Sequence, residues 1–508
     1  MRFHDLLLDG AHRHPDRPAL VWVERERTLT YAEAVEQMER MAGALASLGV
    51  GPGDRVGVFA HNGMDYLMAM FGAWRLGAVA ALVSVQYADT LDYYVNDARP
   101  KVLIYTHDHL PTIDRHRVAL TSVEHYVCMD GPQPGAVGLG DLLASAPAPP
   151  PDTVDETAVA HLSYTSGTSG NPKGACLAHE PTMRATRCIA ERLRLAPGTV
   201  SFGPTALSSS YQLVANLLPA LHVGGTVCVM SRWSADAGWD ALERLGASVL
   251  AANPIVLRDL LDESARRGRP PAALRVGVSG GGPVPPELKF AWRDDLGLAL
   301  CESYGQSELG GFVGLWAADQ TVTDDRVLSC GRPLPDKEVR VLGDDGREVA
   351  NGALGEICLR GGFMHGYWDR ADKTAETLRD GWLHTGDVGF VDGDGFVFMR
   401  GRLSERLTVR GEHWYPRDVE EVLMRHPHVR EAALVGVPDD SYGQRPLAYV
   451  TARERSHSGD IPDMADLVSF VAEGLGRPVP GLSVEEIEAM PMTPTGKISK
   501  AQLLALRS

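Results

Sequence analysis

The stretch YTSGTSGNPKG at Tyr164–Gly174 combines small hydroxylated residues with three glycines and one lysine. An apolar run at 158–163 precedes it and predicts a strand that leads into a loop. Glycines allow backbone N–H groups to approach a polyanion, hydroxyls donate hydrogen bonds to its oxygens, and the lysine adds positive charge. Flexible linkers have a similar composition, but they are not normally embedded between apolar strands. The stretch therefore predicts a phosphate-binding loop, although it does not fit the Walker pattern G-x-x-x-x-G-K-S/T.

The bulk composition is that of a soluble globular protein, and its 508 residues predict about two to four domains or subdomains. The net charge of −17 argues against nucleic acid or an anionic membrane as the main partner. No signal peptide follows Met1, and no run approaches the roughly 18 apolar residues of a membrane span. Seven scattered cysteines without a C-x-x-C pair indicate neither a disulfide framework nor a zinc site. A reducing cytoplasm is therefore the expected location.

Strands and helices alternate along most of the chain. Thr30–Glu33 is a capping box that begins an amphipathic helix, and Gly49 ends that helix. The alternation continues to Tyr105 and resumes beyond a proline-rich linker at 144–151. This spacing predicts an α/β fold of doubly wound subdomains with parallel sheets.

The pattern changes toward the C-terminus. Short alternating runs between Gly/Asp turns at about 327–399 predict a small antiparallel β-barrel or sheet. A compact α+β pattern begins after Gly401, and we place a boundary there. The predicted organisation is an N-terminal domain, 1–401, followed by a small, mobile C-terminal domain, 402–508.

Two further motifs bring ligand-binding residue types together. Ser279–Pro283 contains three glycines after a predicted strand, so that a flat ligand can lie against the backbone, although a tight turn has the same composition. The motif ESYGQSE at Glu302–Glu308 combines an aromatic side chain that can stack on a base with a hydroxyl and a carboxylate. Glu308 can hold Mg²⁺ through one oxygen, and an ordinary acidic surface loop is the alternative.

Two more motifs place single functional residues in turns. GWLHTGD at Gly381–Asp387 presents Asp387, which can accept hydrogen bonds from both hydroxyls of a ribose or can simply favour the turn. PMTPTGKI at Pro491–Ile498 presents Lys497 at the tip of a loop, where a solvated lysine is the usual interpretation. Each motif is weak alone, and the order of all of them along one chain is what is informative.

In this order the motifs resemble those of the adenylate-forming superfamily of acyl-CoA synthetases, luciferases and peptide-synthetase adenylation domains. The resemblance extends over essentially the whole chain. The family's phosphate loop corresponds to Tyr164–Gly174, its adenine and magnesium motif to Glu302–Glu308, and its ribose motif to Gly381–Asp387. The hinge and the start of the family's lid correspond to GRLSERLTVRGEHWYP at Gly401–Pro416, and its lysine motif corresponds to Pro491–Ile498.

The resemblance implies a role for each matched residue. The residues that it assigns to the triphosphate are Thr165, Ser166, Gly167, Thr168, Ser169, Gly170 and Lys173. Those that it assigns to the nucleoside are Gly280, Gly281, Gly282, Ser303, Tyr304, Gly305, Asp387 and Arg402, the last two at the ribose. The catalytic residues that it implies are Ser307 at the α-phosphate, Glu308 at Mg²⁺ and Lys497 at the reacting groups, with Glu405 at the hinge.

By the same resemblance the chain is a ligase that depends on ATP and Mg²⁺. An acid attacks the α-phosphorus of ATP, which gives an adenylate and pyrophosphate, and a thiol, most often that of coenzyme A, then displaces AMP. The first half-reaction requires alignment of two anions and neutralisation of the charge that builds on phosphorus. The lid is expected to turn between the half-reactions and to carry Lys497 in and out.

Four departures from the family pattern bear on the acceptor and on the acid. Glu405 stands where the family usually has Asp or Lys, and His413–Trp414 stands where many CoA ligases have Asn and an aliphatic residue. Arg477–Pro480 lacks the usual lysine, and Pro204–Leu213 lacks the Pro-x-x-His that often contacts the carboxylate. The first three departures weaken the inference to coenzyme A without removing it, and the fourth concerns the acid.

The run at 206–225 aligns better with aryl-acid ligases such as benzoate-CoA ligase than with fatty-acyl ligases. Tyr211 then lines an aromatic slot beside the donors Ser209 and Ser210, although a tyrosine flanked by serines is commonly half-buried packing. We therefore expect a small or aromatic acid as the substrate of a monomer or homodimer. The alternative is an acceptor other than coenzyme A, either a carrier-protein thiol or an amine, or an unusual oxyacid such as nitrite, as in diazotases.

Overall fold

The computed structural model describes residues 1–165, 171–282, 284–452, 463–492 and 498–507. Its N-terminal part contains two large, mainly parallel sheets that are covered by helices, and smaller, mainly antiparallel sheets follow. This arrangement confirms the predicted α/β class. All seven cysteines are free, and no helix among the described residues is long and apolar enough to cross a bilayer.

The first long helix has the capping box that the sequence predicts. The Thr30 side chain accepts a hydrogen bond from Glu33 N–H, and the Glu33 carboxylate accepts one from Thr30 N–H. The helix ends before Gly49, whose φ is 75°. The principal helices are Asp5–Arg13, Tyr31–Ser47, Met64–Arg75, Leu91–Ala98, Leu110–His116, Leu139–Ala144, His179–Arg192, Leu218–His222, Ala235–Leu245, Pro254–Arg267, Pro286–Asp294, Ala371–Thr377, Pro416–Met424, Met464–Leu475 and Lys500–Ala505.

The phosphate-loop stretch lies at one edge of the first large sheet. Strand Val159–Tyr164 is antiparallel to Gly174–Ala178, and Tyr164 lies opposite Gly174. The predicted loop is therefore the connection of a β-hairpin, and the two ends of the stretch are paired. In spatial order the strands of this sheet are Val137–Gly138, His125–Cys128, Val102–Tyr105, Arg55–Phe59, Val79–Leu82, Val159–Tyr164 and Gly174–Ala178.

The second large sheet brings the glycine motif Ser279–Pro283 and the motif Glu302–Glu308 together. Strands Val276–Ser279 and Ala299–Tyr304 are parallel neighbours. The glycine turn and the residues after Tyr304 therefore leave the same edge of the sheet, which is where open α/β sheets bind ligands. In spatial order the strands are Arg332–Pro333, Gly314–Leu315, Ala299–Tyr304, Val276–Ser279, Val249–Ala252, Val200–Gly203, Thr226–Val229, Pro18–Trp22 and Arg27–Thr30.

The predicted β-rich segment folds into an antiparallel sheet that holds the ribose motif. Its strand Trp382–Val391 pairs with Val397–Arg402, so that Asp387 lies opposite Arg402. The other strands of this sheet are Glu338–Leu342, Gly355–Arg360 and Leu378–Arg379. The C-terminal sheet is formed by Glu412–Trp414, Leu407–Val409, Gly443–Ala452, Val429–Asp439 and Ser483–Glu486.

Side chains of the first two long helices join the two large sheets. Trp74 Nε1 donates to Ala160 O at 2.8 Å in the first sheet, and Tyr31 OH donates to Gly225 O at 2.7 Å beside the second. Both aromatic side chains are fully buried. The two sheets share one hydrophobic core, which fixes the positions of the loops at their edges.

A buried ion pair connects helix Pro286–Asp294 to strand Ala299–Tyr304. Lys289 is 1% exposed and pairs with Glu302, which is 3% exposed. The Lys289 ammonium also donates to two main-chain carbonyl oxygens, those of Val327 and Ser329. Because a buried charge is tolerated only when it is paired and hydrogen-bonded, these contacts hold the helix and the strand in one arrangement.

Lys289→Met is expected to destabilise the protein because it leaves the Glu302 carboxylate buried without its partner. The expected loss is about 3–5 kcal/mol in the free energy of unfolding, the range found when one member of a buried pair is removed. Urea denaturation followed by tryptophan fluorescence measures this loss. The double variant Lys289→Met/Glu302→Gln removes both charges and is expected to recover most of the stability. Equal destabilisation of the single and double variants would contradict the role of the pair.

Candidate active site

The neck of the phosphate loop is closed by hydrogen bonds between its two ends. Thr165 N–H donates to Lys173 O at 3.0 Å, and Lys173 N–H donates to Thr165 Oγ1 at 3.1 Å. Tyr93 OH donates to Pro172 O at 2.5 Å and supports the same neck from a neighbouring helix. The tip of the loop lies outside the described residues, and it comprises Ser166, Gly167, Thr168, Ser169 and Gly170. Thr165 and Lys173 are thus the predicted loop residues whose positions are defined.

Tyr367 connects the loop lysine to the predicted magnesium carboxylate. Its OH donates to Glu308 Oε1 at 2.6 Å, and Lys173 Nζ lies 4.5 Å from the centre of its ring. Ser307 Oγ donates to Tyr164 O at 3.3 Å, which holds Ser307 against the strand before the loop. Burial and the Glu308 carboxylate raise the pKa of Tyr367, so its phenol keeps its proton and remains a donor. A lysine, a carboxylate and a serine from distant parts of the sequence therefore lie together.

Asp387 is the centre of a hydrogen-bond network. Its Oδ2 accepts from Tyr304 OH at 2.7 Å and from Gln306 Nε2 at 2.6 Å. Arg402 Nε lies 3.1 Å from Oδ1, and the Asp387 side chain is almost completely buried. The Asp387 N–H donates to Thr385 Oγ1 at 3.0 Å. The predicted nucleoside residues Tyr304, Asp387 and Arg402 are therefore in direct contact.

The network also shifts the titration of its members. Burial, and then the charge of Asp387, raises the pKa of Tyr304 well above its ordinary value. The Asp387 carboxylate raises the pKa of the Arg402 guanidinium, although burial acts in the opposite direction. Tyr304 and Arg402 therefore keep their protons at neutral pH, and both remain hydrogen-bond donors.

A second carboxylate supports the turn that carries Asp387. Glu356 Oε1 accepts from Gly386 N–H at 3.0 Å, and Glu356 Oε2 lies 2.9 Å from His384 Nδ1. Glu356 and His384 belong to neighbouring strands of the antiparallel sheet. The main chain immediately before Asp387 is therefore fixed by a side chain from the adjacent strand.

The three glycines of the adenine turn have different surroundings. A Cβ atom at Gly280 would overlap the side chain of Ser303, whose hydroxyl donates to Ser279 O at 2.9 Å. A Cβ atom at Gly281, whose φ is 80°, or at Gly282 would meet no described atom within 4 Å. Gly280 is thus required for packing, whereas the other two glycines present open backbone to a flat ligand.

Tyr211 lies beside this turn. Its OH donates to Val278 O at 2.7 Å, and its ring edge lies 3.1 Å from the position of a Cβ atom at Gly280. The ring of Phe312 lies 6.1 Å away, centre to centre. Tyr211 is half-buried, and burial raises its pKa. The candidate acid-binding residue and the glycine turn therefore share one wall.

Three other predicted site residues have roles in the local structure. The exposed Ser209 accepts a hydrogen bond from Tyr211 N–H at 3.3 Å and caps the short helix Ser210–Gln212. Ser210 is half-buried at the start of that helix. A Cβ atom at Gly305 would approach Gly311 O to 2.8 Å, so the turn after Tyr304 requires a glycine.

The carboxylate of the predicted hinge residue, Glu405, forms an ion pair with the last helix. Glu405 Oε2 lies 3.0 Å from Lys500 Nζ, and Glu420 Oε1 lies 3.0 Å from the same nitrogen. Burial alone lowers the pKa of Lys500, but the charges of Glu420 and Glu405 outweigh it and raise the pKa. Lys497 lies outside the described residues, shortly before this helix.

Sequence analysis does not single out Gln306, Glu356 or Tyr367. Gln306 lies inside the predicted motif Glu302–Glu308, and its amide is a hydrogen-bond donor that the sequence makes visible. Glu356 and Tyr367 have no such signal. Strand pairing brings Glu356 to Gly386, and the long connection after that strand brings Tyr367 to Glu308.

The sequence matches two family profiles. The profile of AMP-binding enzymes matches residues 7–368, and that of the AMP-binding enzyme C-terminal domain matches residues 418–497. The fatty acid–acyl-carrier-protein ligase ScoC of Streptomyces coeruleorubidus is 32% identical over an alignment of 516 residues, gaps included. The alignment covers 97% of this chain and 94% of the relative. The feruloyl-CoA synthase of an Amycolatopsis species is 33% identical over 479 residues, with 94% and 93% coverage.

A solved structure with a similar fold is the anthranilate CoA ligase AuaEII in complex with anthranoyl-AMP. Its TM-score is 0.89 at 25% sequence identity, and the match covers 100% of this chain and 97% of that chain. The similarity therefore includes both large sheets, the antiparallel sheet and the C-terminal part.

Tyr367→Phe removes the hydroxyl that holds Glu308 and leaves the aromatic ring beside Lys173. Because a hydrogen bond to a charged group contributes about 1.5–3 kcal/mol, we expect Mg-ATP to bind about 10- to 100-fold more weakly. Isothermal titration calorimetry with Mg-ATP measures this affinity.

Tyr66→Phe is the matched control, since the Tyr66 hydroxyl is buried and forms no hydrogen bond within the described part of the chain. It is expected to leave the affinity unchanged. Wild-type affinity in Tyr367→Phe would show that Glu308 is held in place without this hydroxyl.

Proposed function

The chain belongs to the AMP-binding enzyme family, and we propose that it is an AMP-forming acid–CoA ligase for a small or aromatic carboxylic acid. The observation that carries the proposal is the pair of networks around Glu308 and Asp387. The first reaches the phosphate loop, and the second reaches Tyr304, at the end of the strand beside the one that precedes the glycine turn. Mg-ATP has three polar parts: a triphosphate, a divalent cation and a ribose. Each part has a matching group among these residues.

In this proposal the adenine lies on the open backbone of Gly281 and Gly282, and the ribose hydroxyls donate to Asp387. A carboxylate offers about four lone-pair sites, and Tyr304, Gln306 and Arg402 use part of them. Because Asp387 is buried beneath its partners, Arg402 shifts when the ribose binds, or it shares the carboxylate with the ribose hydroxyls.

Glu308 fits a magnesium ion. Mg²⁺ prefers hard oxygen ligands and commonly combines one or two carboxylates with phosphates and water, and Tyr367 fixes Glu308 through one oxygen. A bound Mg²⁺ supplies positive charge to the phosphates. Lys173, beside Tyr367, supplies a second positive charge for the β- and γ-phosphates.

The reaction has two displacement steps. A carboxylate oxygen of the acid forms a bond to the α-phosphorus, the bond from that phosphorus to the bridging oxygen breaks, and pyrophosphate leaves. The acceptor thiol then loses its proton to solvent, its sulfur bonds to the carbonyl carbon, the bond from that carbon to the phosphate oxygen breaks, and AMP leaves. Alignment and electrostatic stabilisation account for most of the catalysis that such steps need. Lys497 is proposed to meet the reacting groups in the first step, and Ser307 to bind the α-phosphate.

An aromatic acid is favoured by Tyr211. Its ring stands against the glycine turn, with Phe312 nearby, so that a flat acyl group can pack next to the adenylate. Two of the similar proteins act on aromatic acids according to their names, feruloyl-CoA synthase and anthranilate CoA ligase, and this supports the choice.

A carrier-protein thiol is the second candidate acceptor. The relative ScoC is a ligase of a fatty acid to acyl-carrier protein, and His413–Trp414 departs from the usual CoA-ligase residues. Trp414 is buried under Arg477, whose guanidinium lies 4.2 Å from its ring centre. His413 is exposed, so it is the member of the pair that an incoming acceptor can contact.

We further propose that 1–401 and 402–508 are the two units that move against each other, with Glu405 at the pivot. The short turn Leu403–Glu405 separates the last strand of the antiparallel sheet from strand Leu407–Val409. The seven free cysteines are compatible with a reducing cytoplasm.

An acid panel tests the proposed function. Protein with Mg-ATP is incubated with benzoic-type, cinnamic-type, short and medium-chain acids and with nitrite, and pyrophosphate release is followed. Coenzyme A or an acyl-carrier protein with a free prosthetic thiol is then added, and thioesters are measured by mass spectrometry. We expect release with an aromatic acid and formation of its CoA thioester. Thioester on the carrier protein alone would favour the second acceptor, and turnover restricted to fatty acids would overturn the aromatic assignment.

Lys497→Ala is expected to reduce carboxylate-dependent ATP–pyrophosphate exchange by about 10²–10³-fold, the cost of one charge-stabilising donor. Transfer to the acceptor from a presynthesised adenylate should be largely spared. Lys173→Ala should instead mainly raise the KM for ATP, and the exposed Lys373 provides the control Lys373→Ala. Equal loss of both half-reactions in Lys497→Ala, or an equally deep loss of turnover at saturating ATP in Lys173→Ala, would contradict this division.

A further inference from the structure

A group of imidazoles lies at the carboxyl edge of the first large sheet, apart from the proposed ATP site. Strands Arg55–Phe59 and Val102–Tyr105 are parallel neighbours, and Phe59 lies opposite Tyr105. His61 follows the first strand, and Asp108–His109 follows the second. Because both strands end at the same edge, side chains that are distant in sequence meet there.

The three side chains are close enough to share one ligand. One donor atom from each of His61, Asp108 and His109 lies within 4.8 Å of the other two. The two imidazole rings are 5.3 Å apart, centre to centre, and His109 Nε2 lies 3.9 Å from Asp108 Oδ2. Phe59 packs against the His109 ring at 4.9 Å and keeps one side of the group apolar.

No hydrogen bond joins His109 Nε2 to the Asp108 carboxylate of this group. His109 Nε2 is buried and has no hydrogen-bond partner in the described ranges. The comparable groups elsewhere in the described chain are explained by direct bonds: His4 Nε2 lies 3.0 Å from Asp152 Oδ2, and His384 Nδ1 lies 2.9 Å from Glu356 Oε2. His4 Nδ1 likewise has no hydrogen-bond partner among the described residues, so the His61 group differs in another respect: its imidazole and its carboxylate, His109 Nε2 and Asp108 Oδ2, are 3.9 Å apart and form no direct hydrogen bond.

We propose that His61, Asp108 and His109 bind a divalent transition-metal ion of the zinc type. Two imidazole nitrogens and one carboxylate oxygen are a typical ligand set for such ions, whereas Mg²⁺ prefers oxygen alone. Zinc binds nitrogen at about 2.0–2.1 Å, so binding requires the three side chains to rotate until their donor atoms reach the ion. Asp108 is 52% exposed and leaves the fourth position open to water.

The site is separate from the triphosphate loop. Two strands lie between Val102–Tyr105 and Val159–Tyr164 in the sheet, and neighbouring strands are about 4.8 Å apart. The two strands are thus about three strand spacings, roughly 14 Å, apart. The positive charge of Arg232 disfavours a positive charge on His109, and the Asp108 carboxylate offsets this effect.

Metal titration of the full chain tests the proposal without any measurement of activity. Protein treated with a chelator and then desalted is titrated with Zn²⁺ by calorimetry and with Co²⁺ by absorption, in the absence of ATP and Mg²⁺. We expect one saturable site with Co²⁺ ligand-field bands and no thiolate charge-transfer band. His61→Ala and His109→Ala should each weaken binding by at least about 100-fold. Even mutation of residues that only support metal ligands lowers metal affinity by about 10- to 100-fold.

Matched variants identify the ligands. Asp108→Asn changes an exposed side chain, so it is expected to fold normally and to bind the ion more weakly. His107→Ala removes an exposed imidazole of the same turn and should bind like the wild type. Thermal melting without metal verifies that each variant is folded. No saturable binding, or wild-type affinity in folded His61→Ala and Asp108→Asn, would overturn the proposal.

A thiolate band that disappears in His384→Ala would also overturn it. That result would place the ion at Glu356, Cys358 and His384, whose donor atoms also lie within 4.8 Å of one another.

Discussion

The buried carboxylate of Asp387 is the group on which the arrangement of the site depends. A buried charge is stable only with hydrogen-bonded partners, and those of Asp387 come from two other segments of the chain. Tyr304 ends a strand of the second large sheet, Gln306 lies two residues after it, and Arg402 ends the last strand before the predicted hinge. Displacement of any of these elements would leave the carboxylate underpaired. One side chain therefore fixes the antiparallel sheet, the adenine motif and the start of the hinge relative to one another.

The phosphate side of the site is organised in the same way around Tyr367. Its phenol, kept protonated by burial and by Glu308, holds one carboxylate oxygen, and its ring lies beside the Lys173 ammonium. Groups that are oriented before the ligand arrives need little reorganisation during the reaction, and such preorganised charges supply much of an enzyme's rate enhancement. The tyrosine is therefore best understood as the residue that sets the separation of the two charges.

Local patterns in the sequence predicted the local features of the structure. The capping box at Thr30 and the strand before Thr165 depend on neighbouring residues, and both occur as expected. The buried pair Lys289–Glu302 and the contact of Tyr367 with Glu308 could not be predicted, because they depend on which strands pair and on where a long connection returns. The sequence motifs thus predict most residues of the candidate site, whereas the side chains that position those residues are identified only by the structure.

The contacts of Lys500 fit the proposed movement of the C-terminal unit about Glu405. Lys500 has two carboxylate partners, Glu420 within the C-terminal unit and Glu405 at the proposed pivot. If that unit turns about Glu405, the Lys500–Glu420 pair moves as one, and only the contact with Glu405 has to change. A half-buried lysine whose only partner was Glu405 would be left unpaired whenever the unit rotated, which is costly for a desolvated charge. In the proposed movement, the second carboxylate would keep the Lys500 charge paired.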